Sequence, residues 1–228
     1  MLDPEVPAFP PASLAEPDED GLLAVGGDYS VERLLTAYRG GIFPWSTWRG
    51  MITWHSPDPR FVLLPENFRV PHGVRRALKK GLFEITVDRA FGEVIGGCAR
   101  AKRPDGEETW ISGALKKGYL ALHRAGWAHS AETWMEGKLV GGLYGVGIGR
   151  CFFGESMFHA VPDASHCAFA VLAEMLFKGG CAFVDAQTPS EHMARFGAAE
   201  MPRGEYLERL ERALGEGGEI DWKGLAGG

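Results

Sequence analysis

The 228-residue sequence predicts an α/β fold of the mixed α+β kind, with a small N-terminal part over residues 1–64 and a larger part over residues 65–228. Two observations carry this expectation. Trp45, Trp48 and Trp54 crowd together with Pro44, Pro57 and Pro59, a composition that fits rigid aromatic loops and not a helix. From about residue 65 the rhythm changes, and stretches of helical spacing alternate with short strands, several of them set up to pair antiparallel.

Taken in order, residues 1–20 are rich in proline and acids and read as an irregular arm. Residues 21–27 read as an apolar strand or turn ending in Gly-Gly-Asp. Ser30 is placed to cap a short helix from Val31 that stops at Gly40-Gly41. The aromatic loops follow, closed by a strand over Phe61–Leu64. The larger part predicts a helix with a basic face over Val70–Lys80, a strand over Phe83–Val87 and a helix over Ala90–Cys98. Ser112 caps a helix that Gly126 stops. Ala128–Met135 and Leu139–Val146, joined by Glu136-Gly137, predict a hairpin. A short strand over Arg150–Phe153 comes next, then a long apolar helix capped by Asp163 and running to Lys178. Cys181–Val184 is a buried strand leading into Asp185-Ala-Gln187. Short helices over Glu191–Phe196 and Glu205–Leu214 precede a glycine-rich tail expected to fray.

Composition narrows the class. Apolar residues make up 45% and charged residues 24%, which suits a globular core. The start, Met1-Leu-Asp-Pro-Glu5, has neither a basic nor an apolar targeting region, and no apolar run approaches the roughly 20 residues of a membrane span, so a cytoplasmic protein with no membrane contact is expected. Cys98, Cys151, Cys167 and Cys181 lack metal-ligand spacing and read as reduced, buried thiols. Net charge is −6, yet residues 69–117 hold 11 basic side chains against six acids. Such a face suits either a polyanion or plain solvation. No coiled-coil or long apolar edge pattern stands out, which points to a monomer.

Asp185 and Gln187, two apart at a strand end, would face one site together, as a carboxylate and an amide suited to an amine nucleophile; they are also ordinary turn residues. Glu155 sits among aromatics in Phe152-Phe-Gly-Glu-Ser-Met-Phe158, where a carboxylate calls for a cation, either from a substrate or from an internal arginine. Trp45 and Trp110 offer faces for a nucleobase or for core packing. His55, His129 and His192 have no neighbour at a triad spacing. No phosphate-binding glycine loop is present; the glycines between Gly141 and Gly149 fall inside a hairpin pattern.

Together the strings Gly21-Leu-Leu-Ala-Val-Gly-Gly-Asp28, Gly41-Ile-Phe-Pro-Trp45, Trp54-His-Ser-Pro-Asp-Pro-Arg60, Thr109-Trp-Ile111, Gly141-Gly-Leu-Tyr-Gly145, Gly154-Glu-Ser-Met-Phe158 and Asp185-Ala-Gln187 resemble, in order, the leucyl/phenylalanyl-tRNA–protein transferase family. The resemblance spans about residues 20–200. It implies a small N-terminal domain and a C-terminal domain similar to the GCN5-related N-acetyltransferase fold. It also implies transfer of Leu or Phe, less well Met, from Leu-tRNA or Phe-tRNA to proteins beginning with Arg or Lys, marking them for N-end-rule degradation, with no metal or other cofactor. By position, Asp185, Gln187 and Glu155 match the catalytic group, and Trp45 and Trp110 match the aromatics that hold the terminal adenosine. Leu143, Phe152, Met157, Leu172 and Leu176 match the aminoacyl pocket, and His166 stands where relatives often carry Lys. Arg75, Arg76, Lys79 and Lys80 are the expected phosphate contacts. Competing readings are an acyl-CoA-dependent N-acetyltransferase, disfavoured because residues 159–165 contain no glycine, and a non-catalytic tRNA-binding module.

Overall fold

The computed structural model describes residues 1–17, 20–101, 111–215 and 218–227. Helix α1 (Val31–Arg39) opens as expected, with Ser30 accepting a hydrogen bond from the Arg33 N–H. It follows β1 (Leu22–Val25). The Trp- and Pro-rich stretch departs from the loop expectation and folds as a hairpin, β2 (Phe43–Trp48) and β3 (Met51–His55). With β1 it makes a three-stranded antiparallel sheet in the order β1-β3-β2. Pro44 is tolerated because β2 is an edge strand, and Pro57 and Pro59 lie beyond β3. Arg49 and Gly50, both at positive φ (51° and 78°), form the two-residue turn whose twist suits a hairpin.

The larger sheet has seven strands: β4 (Arg60–Leu63), β5 (Glu84–Val87), β6 (Ala128–Met135), β7 (Lys138–Ile148), β8 (Cys151–His159), β9 (Phe183–Gln187) and β10 (Ala199–Met201). Their order is β10-β4-β9-β8-β7-β6-β5, and every neighbouring pair is antiparallel except β8 with β9. Helices α2 (His72–Lys79), α3 (Phe91–Arg100), α4 (Gly113–Arg124), α5 (Ala164–Lys178), α6 (Glu191–Phe196), α7 (Arg203–Gly215) and α8 (Trp222–Ala226) complete the chain. The mixed α/β architecture with antiparallel pairs in the middle is the one the sequence predicts.

Alternation along β7 divides the core. Tyr144, Val146 and Ile148 point into an apolar cluster shared with α1, α3, α4 and α7. Leu143 points the other way, into a cluster built on α5 with α2 and α6. Gly141 lies under the start of α5, where a side-chain carbon would come within 2.6 Å of the Ala164 methyl. All four cysteines are buried and unpaired by disulfides.

Three expectations need correction. Strand β8 does not end at Phe153. The 11-residue β7 pairs with the strand as far as His159. Asp163 does not cap α5 with its side chain; it adopts a left-handed turn (φ 66°). The glycine-rich tail is not frayed throughout. Asp221 caps α8 by accepting from the Gly224 N–H, and Trp222 stacks on His129 at 3.7 Å with the rings nearly parallel. His129 is in turn held by Asp88 at 2.6 Å. Trp222 covers Gly147, where a side-chain carbon would meet the indole at 2.6 Å, and lies 5.6 Å from the Phe152 ring. Trp222→Ala is expected to lower unfolding stability by about 2 kcal/mol, below the range for a fully buried large side chain. A urea titration checks it; an unchanged midpoint would show that α8 does not brace the sheet.

Candidate active site

Strands β8 and β9 are hydrogen-bonded only over Cys151–Phe153 and Phe183–Asp185. Beyond that point they diverge, β8 staying with β7 and β9 with β4. The wedge opens onto a cavity of about 580 Å³. Leu143, Phe152, Met157, Phe169 and Met193 give it an apolar wall; Glu155, Gln187, His166 and His192 give it a polar one; Phe43 and Trp45 close a third side.

Two irregularities aim the polar groups. Along β7 the register steps from Gly145↔Gly154 to Tyr144↔Ser156, so Glu155 is the extra residue of a β-bulge. Along β4 it steps from Val62↔Asp185 to Phe61↔Gln187, so Ala186 is a second bulge, and Gln187 takes a left-handed backbone (φ 65°). Bulges break the two-residue alternation and re-aim side chains.

The consequence for Asp185 and Gln187 is a correction. Their side chains bond to different partners and not to each other. The Asp185 side chain is fully buried. It accepts two bonds from Arg60 Nε and Nη2 (2.9 and 2.7 Å), one from Tyr206 Oη (2.7 Å) and one from the Gln187 backbone N–H (2.8 Å). Arg60 is itself buried between the rings of Phe43 and Tyr206, at 4.6 and 4.8 Å from their centres. Burial works against the guanidinium, but the adjacent Asp185 carboxylate holds its pKa above the ordinary value. Asp185 therefore fixes the turn that presents Gln187.

The side chain of Gln187 meets Glu155 instead: Nε2 donates to Oε1 at 2.7 Å. When ionised the carboxylate can only accept, and the amide then turns its NH₂ toward it and its oxygen away. Glu155 also accepts from Tyr38 Oη at 2.6 Å and Tyr119 Oη at 2.8 Å, and the two tyrosine hydroxyls touch each other. Burial, with the nearby Glu155 charge, pushes both tyrosines well above their usual pKa, which keeps them as donors. Burial pushes the Glu155 carboxyl up to about 7, against the lowering effect of its three donors.

The remaining predicted residues divide. Trp45, Leu143, Phe152 and Met157 line the cavity. Leu172 and Leu176 lie one and two turns farther along α5 than Phe169, about 5–10 Å down the axis, buried behind that wall in one apolar cluster with Leu143 and Phe152. Trp110 lies outside the described residues. Arg75, Arg76 and Lys79 on α2, and Lys80 just past its end, are exposed and are not among the residues lining the cavity. His166 and His192 stand at the cavity with ring centres 5.8 Å apart. Burial holds both below the ordinary histidine pKa, so they are neutral near pH 7. His55 is buried behind Trp45, 5.0 Å from it.

Sequence reasoning assigned no role to Arg60, Tyr206, Tyr38 or Tyr119. Arg60 ends the string Trp54-His-Ser-Pro-Asp-Pro-Arg60, and a buried carboxylate at residue 185 signals the need for such a cation. The tyrosines fall at apolar helix positions and carry no other mark.

Residues 62–211 match the family model for leucyl/phenylalanyl-tRNA protein transferase, and residues 27–58 match the model for its N-terminal domain. Curated relatives named leucyl/phenylalanyl-tRNA–protein transferase include one from Anaeromyxobacter sp. (strain K), 53% identical over 92% of this chain and 90% of that protein. Another, from Myxococcus xanthus (strain DK1622), is 48% identical over 95% and 92%. Among solved structures, L-PGS from Bacillus licheniformis is similar at 10% identity, covering 87% of this chain and 74% of that one, with a TM-score of 0.44. With both parts of the chain matched and relatives near 50% identity along nearly its whole length, the protein belongs to the leucyl/phenylalanyl-tRNA protein transferase family.

Proposed function

We propose that this chain is an aminoacyltransferase that moves Leu or Phe, and less well Met, from aminoacyl-tRNA onto the N-terminal Arg or Lys of acceptor proteins. It works in the cytoplasm as a monomer, and its products enter N-end-rule degradation. The observation that carries the reading is the amide of Gln187, held by Glu155 so that its oxygen is presented to an amine beside an apolar cavity.

In this reading the aminoacyl side chain enters the wall of Leu143, Phe152 and Met157. Burying a Leu or Phe side chain there stabilises the complex by roughly 1.5–3 kcal/mol, and a polar side chain would leave its groups unpaired. Trp45, with Trp110, holds the terminal adenosine by stacking. Arg75, Arg76, Lys79 and Lys80 contact tRNA phosphates without reading sequence. The acceptor α-ammonium meets Gln187 Oε1 and the Glu155 carboxylate. Glu155 is well matched to take a proton from it, since an α-amino group titrates near 8 and this carboxyl near 7. The neutral nitrogen then attacks the ester carbonyl. A C–N bond forms, the bond to the ribose oxygen breaks, and that oxygen leaves with a proton from the amine. Asp185 and Arg60 act one step back, by fixing the Gln187 turn.

The experiment is transfer of radiolabelled Leu from Leu-tRNA to two peptides, one beginning with Arg and one with Ala. Label on the Arg peptide alone is the expected result. Label on neither peptide, with tRNA still bound, would overturn the reading in favour of a binding module.

A further inference from the structure

The tip of the β2–β3 hairpin carries a feature that the chemistry above does not use. Trp48 is 52% exposed, and it alone is exposed among the described tryptophans. The Arg49 guanidinium lies over its ring, 4.5 Å from the centre. At Gly50, beside them, a side-chain carbon would meet nothing within 4 Å, so the tip projects freely.

The hairpin register ties this tip to the cavity. Trp45 and Trp48 are three apart, and a regular strand would put them on opposite faces. Here pairing steps from Pro44↔Trp54 to Thr47↔Ile52, leaving Trp45 and Ser46 together opposite Thr53. This bulge restores the parity. Trp48 sits opposite Met51, on the face that also carries Thr53 and His55. Trp45 packs against His55 on that same face, at 5.0 Å. One side of the hairpin thus runs from Phe43 and Trp45 at the cavity wall to Trp48 and Arg49 at the tip, about 10 Å farther out.

We propose that Trp48 and Arg49 form an outer station for the donor's single-stranded 3′ end. Trp48 stacks a base that precedes the terminal adenosine, and Arg49 pairs with a phosphate beside it. The inference rests on the reading above, in which the donor is aminoacyl-tRNA with its terminal adenosine at Trp45. The chemistry selects a nucleic acid: an exposed aromatic face with a cation above it suits a base next to its own phosphate, and stacking tolerates any base. The same face leads out of the cavity along the path that the rest of the single strand needs.

The test compares two donors with one Arg-initiated peptide: intact Leu-tRNA, and leucyl-adenosine, which ends at the first station. For Trp48→Ala the KM for Leu-tRNA is expected to rise about tenfold, the effect of losing one base stack. Its kcat and its KM for leucyl-adenosine should stay unchanged, and Trp48→Phe should recover most of the loss. Arg49→Gln should reduce the log–log salt slope of tRNA binding by about one. A thermal melt of each variant confirms the fold. Equal loss with both donors, a rise confined to the peptide KM, or no change at all would each overturn the station. Failure of the wild-type protein to use either donor would instead overturn the aminoacyl-tRNA reading beneath it.

Discussion

Asp185→Ala is expected to cost about 3–5 kcal/mol of unfolding stability, because it strands a buried arginine without its counter-ion. Arg60 is 1% exposed and lies between two aromatic rings, so its charge depends on the Asp185 carboxylate. The Tyr206 hydroxyl and the Gln187 N–H lose their acceptor in the same step. Gln187→Ala breaks no ion pair and should stay within about 1 kcal/mol of the parent stability, in the range of one lost hydrogen bond. Its kcat should nonetheless fall about a hundredfold, with tRNA affinity unchanged. The pair of variants separates building the site from acting in it. Replacing both charges together, as in Arg60→Met with Asp185→Leu, should recover most of the stability but not the transfer, since the Gln187 turn loses its anchor. Urea unfolding beside single-turnover transfer reads both quantities. If Asp185→Ala unfolds at the wild-type midpoint, Arg60 is not held as described. If Gln187→Ala loses tRNA binding in proportion to activity, Gln187 does not act at the reacting atoms.

Why this division of labour escaped the sequence is a matter of register. The positions were legible: strand β9, its polar end and the aromatic run around Glu155 all stand out from spacing and composition. Most helices were legible too, because Ser30 and Ser112 cap them and glycines end them. The bulges at Glu155 and Ala186 were not, since a single inserted residue leaves no mark in local pattern yet reverses which way every following side chain points. The same blindness hid the hairpin between Phe43 and His55, where edge position excuses a proline that ordinary strand rules exclude. Long-range partners were hidden as well. Arg60 and Asp185 are 125 residues apart, and Tyr38 and Glu155 are 117 apart. Leu172 and Leu176 mark the depth of the apolar wall: they pack in one buried cluster with Leu143, Phe152 and Phe169, a packing that helical spacing alone does not reveal.

The pH dependence of transfer should expose Glu155 directly. Its carboxyl keeps its proton until about pH 7, because burial outweighs the three donors that favour the ionised form. If the ionised carboxylate receives the acceptor's proton, kcat/KM rises with pH through a midpoint near 7. Glu155→Gln removes that limb and lowers the rate at pH 8 by about a hundredfold, the scale of a lost general base. Stability moves the opposite way. The unfolded chain ionises this group near pH 4.5, so between about 4.5 and 7 the unfolded state holds fewer protons than the folded one, and stability falls as pH rises through that window. In Glu155→Gln that slope should disappear, while Tyr38, Tyr119 and Gln187 keep an acceptor in the amide oxygen for only part of their network. The two readouts constrain each other. A rate limb near 7 that survives in Glu155→Gln assigns the limb to ionisation of the acceptor amine itself, and reduces Glu155 to a positioning group. A limb that vanishes together with the stability slope ties both to one carboxyl, and a proton transfer step follows from the same desolvation that the fold imposes on it.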